Sequence, residues 1–144
     1  MKQKFVDAYM DVAERFAQLS SATRLQVGAI VVKDDRIISI GYNGMPTGWD
    51  NCCEEIIHDG GGSGVLKSKP EVLHAESNAI AKLASSHESG KDATLLCTHA
   101  PCIDCAKLIY QSGITTVYYK NDYRSTQGIE FLERSGISIN KIST

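Results

Sequence analysis

No stretch of the sequence is apolar enough, for long enough, to cross a bilayer. Its first residues, MKQKFVDAYMDVAERF, interrupt each apolar step with a charge. The expectation is a chain with neither a signal-peptide core nor a membrane span. There is no basic excess either: 15 Lys and Arg stand against 17 Asp and Glu, a net charge of −2. Wholesale capture of a nucleic-acid backbone relies on a basic surface, so a nucleic-acid polymer is not the expected partner. A single phosphate asks for less, one or two well-placed cations. Nor do the cysteines pair off: Cys52, Cys53, Cys97, Cys102 and Cys105 are five, with no secretory signal beside them. That argues against a disulfide framework and for free thiols or metal ligands in a reducing cytoplasm. Internal repeats are missing too, and 144 residues at 42% hydrophobic and 22% charged fit one domain spanning 1–144.

What is present is periodicity. Phe5, Ala8, Tyr9, Val12, Ala13 and Phe16 recur at three- and four-residue steps, which predicts an amphipathic helix. Val27 to Val32 and Arg36 to Ile40 are β-rich and flank Lys33-Asp34-Asp35, a hairpin whose turn lacks the favoured Asn-Gly or Asp-Gly pair. From Gly41 to about Val72 the pattern dissolves into turn residues, including the run Gly60-Gly61-Gly62-Ser63-Gly64. This reads as a long loop without structure of its own, a length that usually signals function or mobility. Leu73 to Ser86 reads as a helix, Ala93 to Thr98 as a strand, and Cys102 to Gln111 as a helix ended by Gly113. Thr115 to Tyr119 is a strand by its β-branched and aromatic content. Ile129 to Arg134 is a helix closed by Gly136, and Ile137 to Ile142 a last strand. The order α-β-β-α-β-α-β-α-β predicts an α/β layered fold with a mixed sheet of about five strands.

The sharpest signal is His74-Ala75-Glu76 followed by Pro101-Cys102-Ile103-Asp104-Cys105. One imidazole and two thiolates suit Zn²⁺, and three protein donors leave a fourth tetrahedral position for water, as a catalytic zinc requires. Ligation deprotonates both cysteines. Each donor group falls at the start of an expected helix, where the partial positive charge favours a thiolate. Pro101 suits such a start. Glu76, in the first turn of its helix, is placed to take a proton from that water and pass it to a substrate. A lone Cys-x-x-Cys reads equally as a redox pair or half of a structural zinc site. A fourth cysteine would close such a site, and Cys97, the nearest candidate, sits mid-strand and faces the core.

His-x-Glu followed by Pro-Cys-x-x-Cys is the signature of the zinc deaminases. Beyond it, the chain resembles the deoxycytidylate deaminases of the cytidine deaminase superfamily. The matching stretches are Arg24-Leu25-Gln26-Val27-Gly28-Ala29, Gly41-Tyr42-Asn43-Gly44-Met45-Pro46-Thr47-Gly48, His74 to Ile80, Thr98 to Cys105, and Asn121-Asp122-Tyr123-Arg124. The Gly-Tyr-Asn-Gly and Asn-Asp-Tyr-Arg segments narrow the likeness to the nucleotide branch. The resemblance implies a three-layer α-β-α fold with helices on both faces of the sheet. It implies hydrolysis of dCMP to dUMP and ammonia, supplying thymidylate synthesis. Zn²⁺ would be held by His74, Cys102 and Cys105, with Glu76 carrying the proton. Substrate contacts would come from Arg24, Asn43, Ala75, Tyr123 and Arg124. Arg24 and Arg124 match basic residues that bind the 5′-phosphate, where a guanidinium offers paired donors. Asn43 matches a residue that bonds the sugar and helps position the base. The resemblance further implies a homohexamer in the cytoplasm (a host cytoplasm if viral), activated by dCTP and inhibited by dTTP, with Mg²⁺. Its effector contacts would be Gly41, Tyr42, Asn43, Gly44 and Gly48, whose glycines permit close backbone approach.

By residue type alone, Arg24 and Arg124 read equally as surface arginines, Asn43 as a turn residue and Tyr123 as core. Some relatives carry a second, structural zinc before His-Ala-Glu; here that segment offers only Cys52, Cys53 and His58. His87 and His99 read as polar residues off the metal. Two rival functions remain: a deaminase of another base (a nucleoside, a tRNA adenosine or a riboflavin precursor), and a non-catalytic zinc module that binds nucleotides or a protein.

Overall fold

The computed structural model of the chain describes residues 1–58, 62 and 64–143, so residues 60, 61 and 63 of the glycine run lie outside them. Helix α1 (Gln3–Ala17) leads into strands β1 (Gly28–Lys33) and β2 (Arg36–Tyr42). Then follow β3 (Glu54–His58), β4 (Gly64–Ser68), α2 (Ala75–Ala84), β5 (Thr94–His99), α3 (Ile103–Gln111), β6 (Thr116–Asn121), α4 (Gln127–Arg134) and β7 (Ser138–Lys141). Five strands form the main sheet in the order β2-β1-β5-β6-β7. β1 runs antiparallel to β2 and β5, while β5, β6 and β7 are parallel, so the sheet is mixed as expected. Among the described residues no helix is long and apolar enough to cross a membrane.

Side chains alternate across this sheet and define two cores. Ile30, Val32 and Leu96 meet Val6, Met10 and Ala13 of α1 on one face. Val31, Leu95, Cys97 and Val117 meet Ala79 and Leu83 of α2, Ile109 of α3 and Leu132 of α4 on the other. This is the three-layer arrangement. Cys97 is fully buried, as its mid-strand position predicts.

The structure corrects two expectations. The buried stripe of α1 is Val6, Met10, Ala13 and Ala17; of the stripe predicted, Ala13 is buried and Tyr9 and Val12 pack against the same core, while Phe5 and Ala8 stand exposed. Alanines win the centre because the helix lies close on the sheet: a Cβ at Gly28 would overlap the Ala13 carbonyl oxygen. The second correction concerns the long loop. It contains a separate two-stranded antiparallel sheet, β3 with β4. Ile56, Ile57, Val65 and Leu66 are all exposed, so neither strand has the one-sided burial that produces a readable alternation. The β-branched and aliphatic pairs flanking the glycine run were the signal available.

The β1–β2 turn also has its own solution. Asp34 (φ 51°) and Asp35 (φ 59°) both occupy the left-handed region that a two-residue type I′ hairpin turn demands, without a glycine. A bulge at Ile38 follows, the register stepping from Val32↔Ile37 to Val31↔Ser39.

Candidate active site

The β2, β5 and β6 strands end, and β1 begins, at one end of the sheet, since β5 is antiparallel to β1 and parallel to β6. Crevices outside the carboxyl ends of strands are where open α/β sheets bind ligands. Here a cavity of about 540 Å³ opens, lined among others by Arg24, Asn43, His74, Glu76, Cys102 and Arg124. That volume lies in the range of small-molecule sites.

Helix starts deliver the metal donors. His74 is the N-cap of α2 and Cys102 the N-cap of α3, with Cys105 in the first turn. Two packing contacts bring these starts together. Gly41 lies so close on α2 that a Cβ there would overlap the Ala75 carbonyl oxygen and come 2.7 Å from the Ala79 nitrogen. Gly44 and Leu73 exchange backbone hydrogen bonds of 3.1 and 2.8 Å, stitching the Gly41–Gly48 loop to the residue before His74. On the α3 side, a Cβ at Gly128 would overlap the Pro101 carbonyl oxygen, so α4 braces the Cys102 turn.

His74 Nδ1 lies 3.4 Å from Cys102 Sγ and 3.3 Å from Cys105 Sγ, and the three donor atoms fall within 4.8 Å of one another. A tetrahedral ion with Zn–N near 2.0–2.1 Å and Zn–S near 2.3 Å sets its N···S edges at about 3.6 Å. The donor set therefore fits zinc in chemistry and spacing. Among the described residues, no other three His, Cys, Asp or Glu side chains converge this way. Cys102 is held well below the usual thiol range, first by a hydrogen bond from Cys105 and then by the imidazole. Cys105 is held up correspondingly, since its proton is shared with the Cys102 sulfur and it lies deeper.

Glu76 is 4% exposed, and burial pushes its carboxyl up to about 7 against the opposing pull of His74. The carboxyl lies beside the donors, hydrogen-bonded with Cys105. It suits proton transfer near neutral pH. Burial lowers the pKa of His99, which lines the cavity with Nδ1 2.9 Å from Thr98 Oγ1. His87 is exposed.

The predicted recognition residues also gather here. Arg24, Asn43, Ala75, Tyr123 and Arg124 all line the cavity. Asn43 is already engaged with the chain: its Oδ1 accepts the Val27 N–H (2.8 Å) and its Nδ2 donates to the Leu25 carbonyl (2.7 Å). The Arg124 guanidinium sits 5.5 Å from the centre of the Tyr123 ring, a cation–π stack. Neither arginine joins any of the ion pairs among the described residues. Gly44 and Gly48 border open space, with Gly48 at φ 88°, whereas Gly41 is closed by α2. Of the remaining cysteines, Cys53 is buried with its thiol turned to the Asn51 carbonyl, and Cys52 is exposed with its own turned to that of Glu54. His58 lies at the far end of β3.

Sequence reasoning missed one wall. Ser68, Lys69, Pro70 and Val72 line the cavity because β4 ends beside it. Arg24, Ser68 and Arg124 also border a second hollow of about 470 Å³ along the hairpin, which sets the two arginines on the hairpin side and the metal donors away from it.

The profile of the cytidine and deoxycytidylate deaminase zinc-binding region matches residues 3–121. The chain belongs to that deaminase family. The dCMP deaminase of cyanophage S-TIM5, in complex with dCMP and dUMP, superposes on this deaminase with a TM-score of 0.88 at 45% identity, over 99% of both chains. ComE operon protein 2 of Bacillus subtilis is 35% identical over 93% of this chain and 69% of its own length. The deoxycytidylate deaminase of Saccharomyces cerevisiae is 32% identical over 99% of this chain, which spans 46% of that protein. Zinc is the cofactor of this family, and the deaminase has the His-Cys-Cys set to hold it.

Proposed function

We propose that the deaminase hydrolyses dCMP to dUMP and ammonia. One observation carries the reading: a single cavity joins His74, Cys102 and the buried Glu76, with Cys105 behind them in the donor set, to a side that holds two arginines without ion-pair partners among the described residues. The first half handles an amine on a ring; the second suits a phosphate. The cyanophage enzyme crystallised with dCMP and dUMP supports the choice of substrate.

His74, Cys102 and Cys105 would hold the zinc. Bound there, the ion would lower the pKa of a water from about 15.7 toward about 7. Glu76 takes a proton from the attacking water as the water oxygen bonds to C4 of the cytosine. The carboxyl then returns the proton to the ring nitrogen N3. The proton of the new C4 hydroxyl then passes through Glu76 to the exocyclic amine as the C4–N bond breaks, so ammonia departs and the uracil carbonyl forms. The Ala75 N–H sits at the first position of α2, where a helix leaves its N–H groups without intrahelical acceptors, and it serves the base carbonyl. Asn43 meets the sugar with the polar valence its backbone bonds leave free, Tyr123 packs beside the substrate, and Arg24 and Arg124 take the 5′-phosphate.

By resemblance the reading extends to one deaminase domain over 1–144, assembled as a cytoplasmic homohexamer. dCTP activates it and dTTP inhibits it, with Mg²⁺, through the loop from Gly41 to Gly48; the open surroundings of Gly44 and Gly48 leave room for such a contact.

Ammonia release by the zinc-loaded protein from dCMP, CMP and deoxycytidine, with and without each triphosphate and Mg²⁺, tests the activity and its regulation. dCMP is expected to be the best substrate. Equal turnover of deoxycytidine would remove the phosphate contact, and a zinc-loaded protein inert toward all three would favour a non-catalytic module.

A further inference from the structure

Arg24 lies in a segment with no helix or strand of its own, so something else must fix where its guanidinium points. Besides Gln26, which donates to the Ser20 carbonyl at 2.9 Å, three side chains hold that segment. Ser20 Oγ accepts the Ala22 N–H at 3.2 Å and donates to the Asn43 carbonyl at 2.7 Å, while Asn43 grips Leu25 and Val27. The third is Glu54, whose Oε2 accepts the N–H of Thr23 at 2.9 Å and of Arg24 itself at 3.1 Å. Glu54 opens β3, and its cross-strand partner is Ser68, the last residue of β4. Ser68 Oγ in turn accepts Arg24 Nη1 at 3.4 Å. One rung of the hairpin thus holds both the main chain and the side chain of the same arginine.

A carboxylate near a phosphate site repels the anion, so its place there has to be offset by what it holds. Here both hydrogen bonds go to backbone N–H groups, and Glu54 forms none of the ion pairs among the described residues. The guanidinium charge is left for an anion. The hairpin does little else for the fold, because Ile56, Ile57, Val65 and Leu66 face solvent. Among the described residues, this rung ties it to Arg24, Ser68 adjoins the Lys69-Pro70 wall of the cavity, and Ile57 and Val65 to Lys67 border the second hollow with the two arginines.

We propose that Glu54 is a positioning residue for the substrate's phosphate, acting through Arg24 as the first rung of the β3–β4 hairpin. The inference rests on the reading of Arg24 as a phosphate contact. Charge-assisted bonds to backbone N–H groups are the stronger kind, which is why a carboxylate serves better than a hydroxyl in this exposed place.

The test compares zinc-loaded Glu54→Ala, Glu54→Gln, Ser68→Ala, Arg24→Ala and the Arg24→Ala/Glu54→Ala double variant on dCMP and on deoxycytidine. Glu54→Ala is expected to lower kcat/KM for dCMP about 10-fold, mainly through KM, and to leave deoxycytidine within about 2-fold. Glu54→Gln keeps an acceptor oxygen and should recover most of the loss, while Ser68→Ala, with the longer contact, should cost less than Glu54→Ala. In the Arg24→Ala background, Glu54→Ala should cost nothing further. Equal losses on both substrates, or losses that add in the double variant, would overturn the role of Glu54 while leaving Arg24 as a phosphate contact. If Arg24→Ala itself treats the two substrates alike, the phosphate reading fails first and takes the inference with it. Zinc content and deoxycytidine turnover report folding. Should Glu54→Ala not fold, Glu54→Gln and Ser68→Ala still decide the matter by whether their losses are confined to dCMP.

Discussion

The two sides of the cavity are built differently. On the metal side, donors stand at the starts of α2 and α3, helices packed on the sheet and braced by glycine contacts with no room for a side chain. On the hairpin side, recognition residues sit on irregular chain and an exposed two-stranded sheet, held by side chains gripping backbone. Chemistry that tolerates little displacement would have the wall built on packed helices. The proposed phosphate contacts would have the one held by side-chain hydrogen bonds.

That contrast can be broken in order of expected effect. Stripping the zinc, or Cys105→Ala, should take deamination to background, with re-added Zn²⁺ restoring only the stripped wild type. Glu76→Gln should keep its zinc and lose about 10²–10⁴-fold in kcat on every cytosine substrate, the usual worth of a positioned acid–base group. Near-normal turnover by that variant would remove Glu76 from the mechanism. Arg124→Ala should lose about 10-fold or more in kcat/KM on dCMP, the scale of one charge-assisted contact, and spare deoxycytidine. A loss shared by both substrates would place the arginine on the wrong side of the comparison. In stability, Leu95→Ala in the sheet core should cost about 2–5 kcal/mol in denaturant unfolding. Ile56→Ser on the hairpin should stay within about 0.5 kcal/mol; a large cost there would mean that the hairpin is covered by another surface in solution.

The same contrast explains what the sequence made legible. His74, Glu76, Cys102 and Cys105 declare themselves because each cluster is local and its residue types are rare together. The main sheet and its helices follow from one-sided burial, which leaves a period in the chain. Glu54, Ser68 and Lys69 leave no such trace. Their partners lie 30 or more residues away for the Arg24 clamp, and the strands carrying them have two wet faces. The α1 stripe was right at Ala13, but hydrophobicity favours Phe5 and Phe16 at its ends, whereas the core takes Val6 and, where packing is close, Ala17. Arg24 and Arg124 were found through family likeness; composition alone gives two surface cations.

The Asp34–Asp35 turn closes the β1–β2 hairpin at the end remote from the cavity, which Val27 and Asn43 border at the other. Two side-chain-bearing residues hold a backbone shape that glycine or asparagine adopts at lower cost. An Asn-Gly replacement there offers a thermostabilised version of the catalyst, its gain confined to the melting temperature and its turnover untouched.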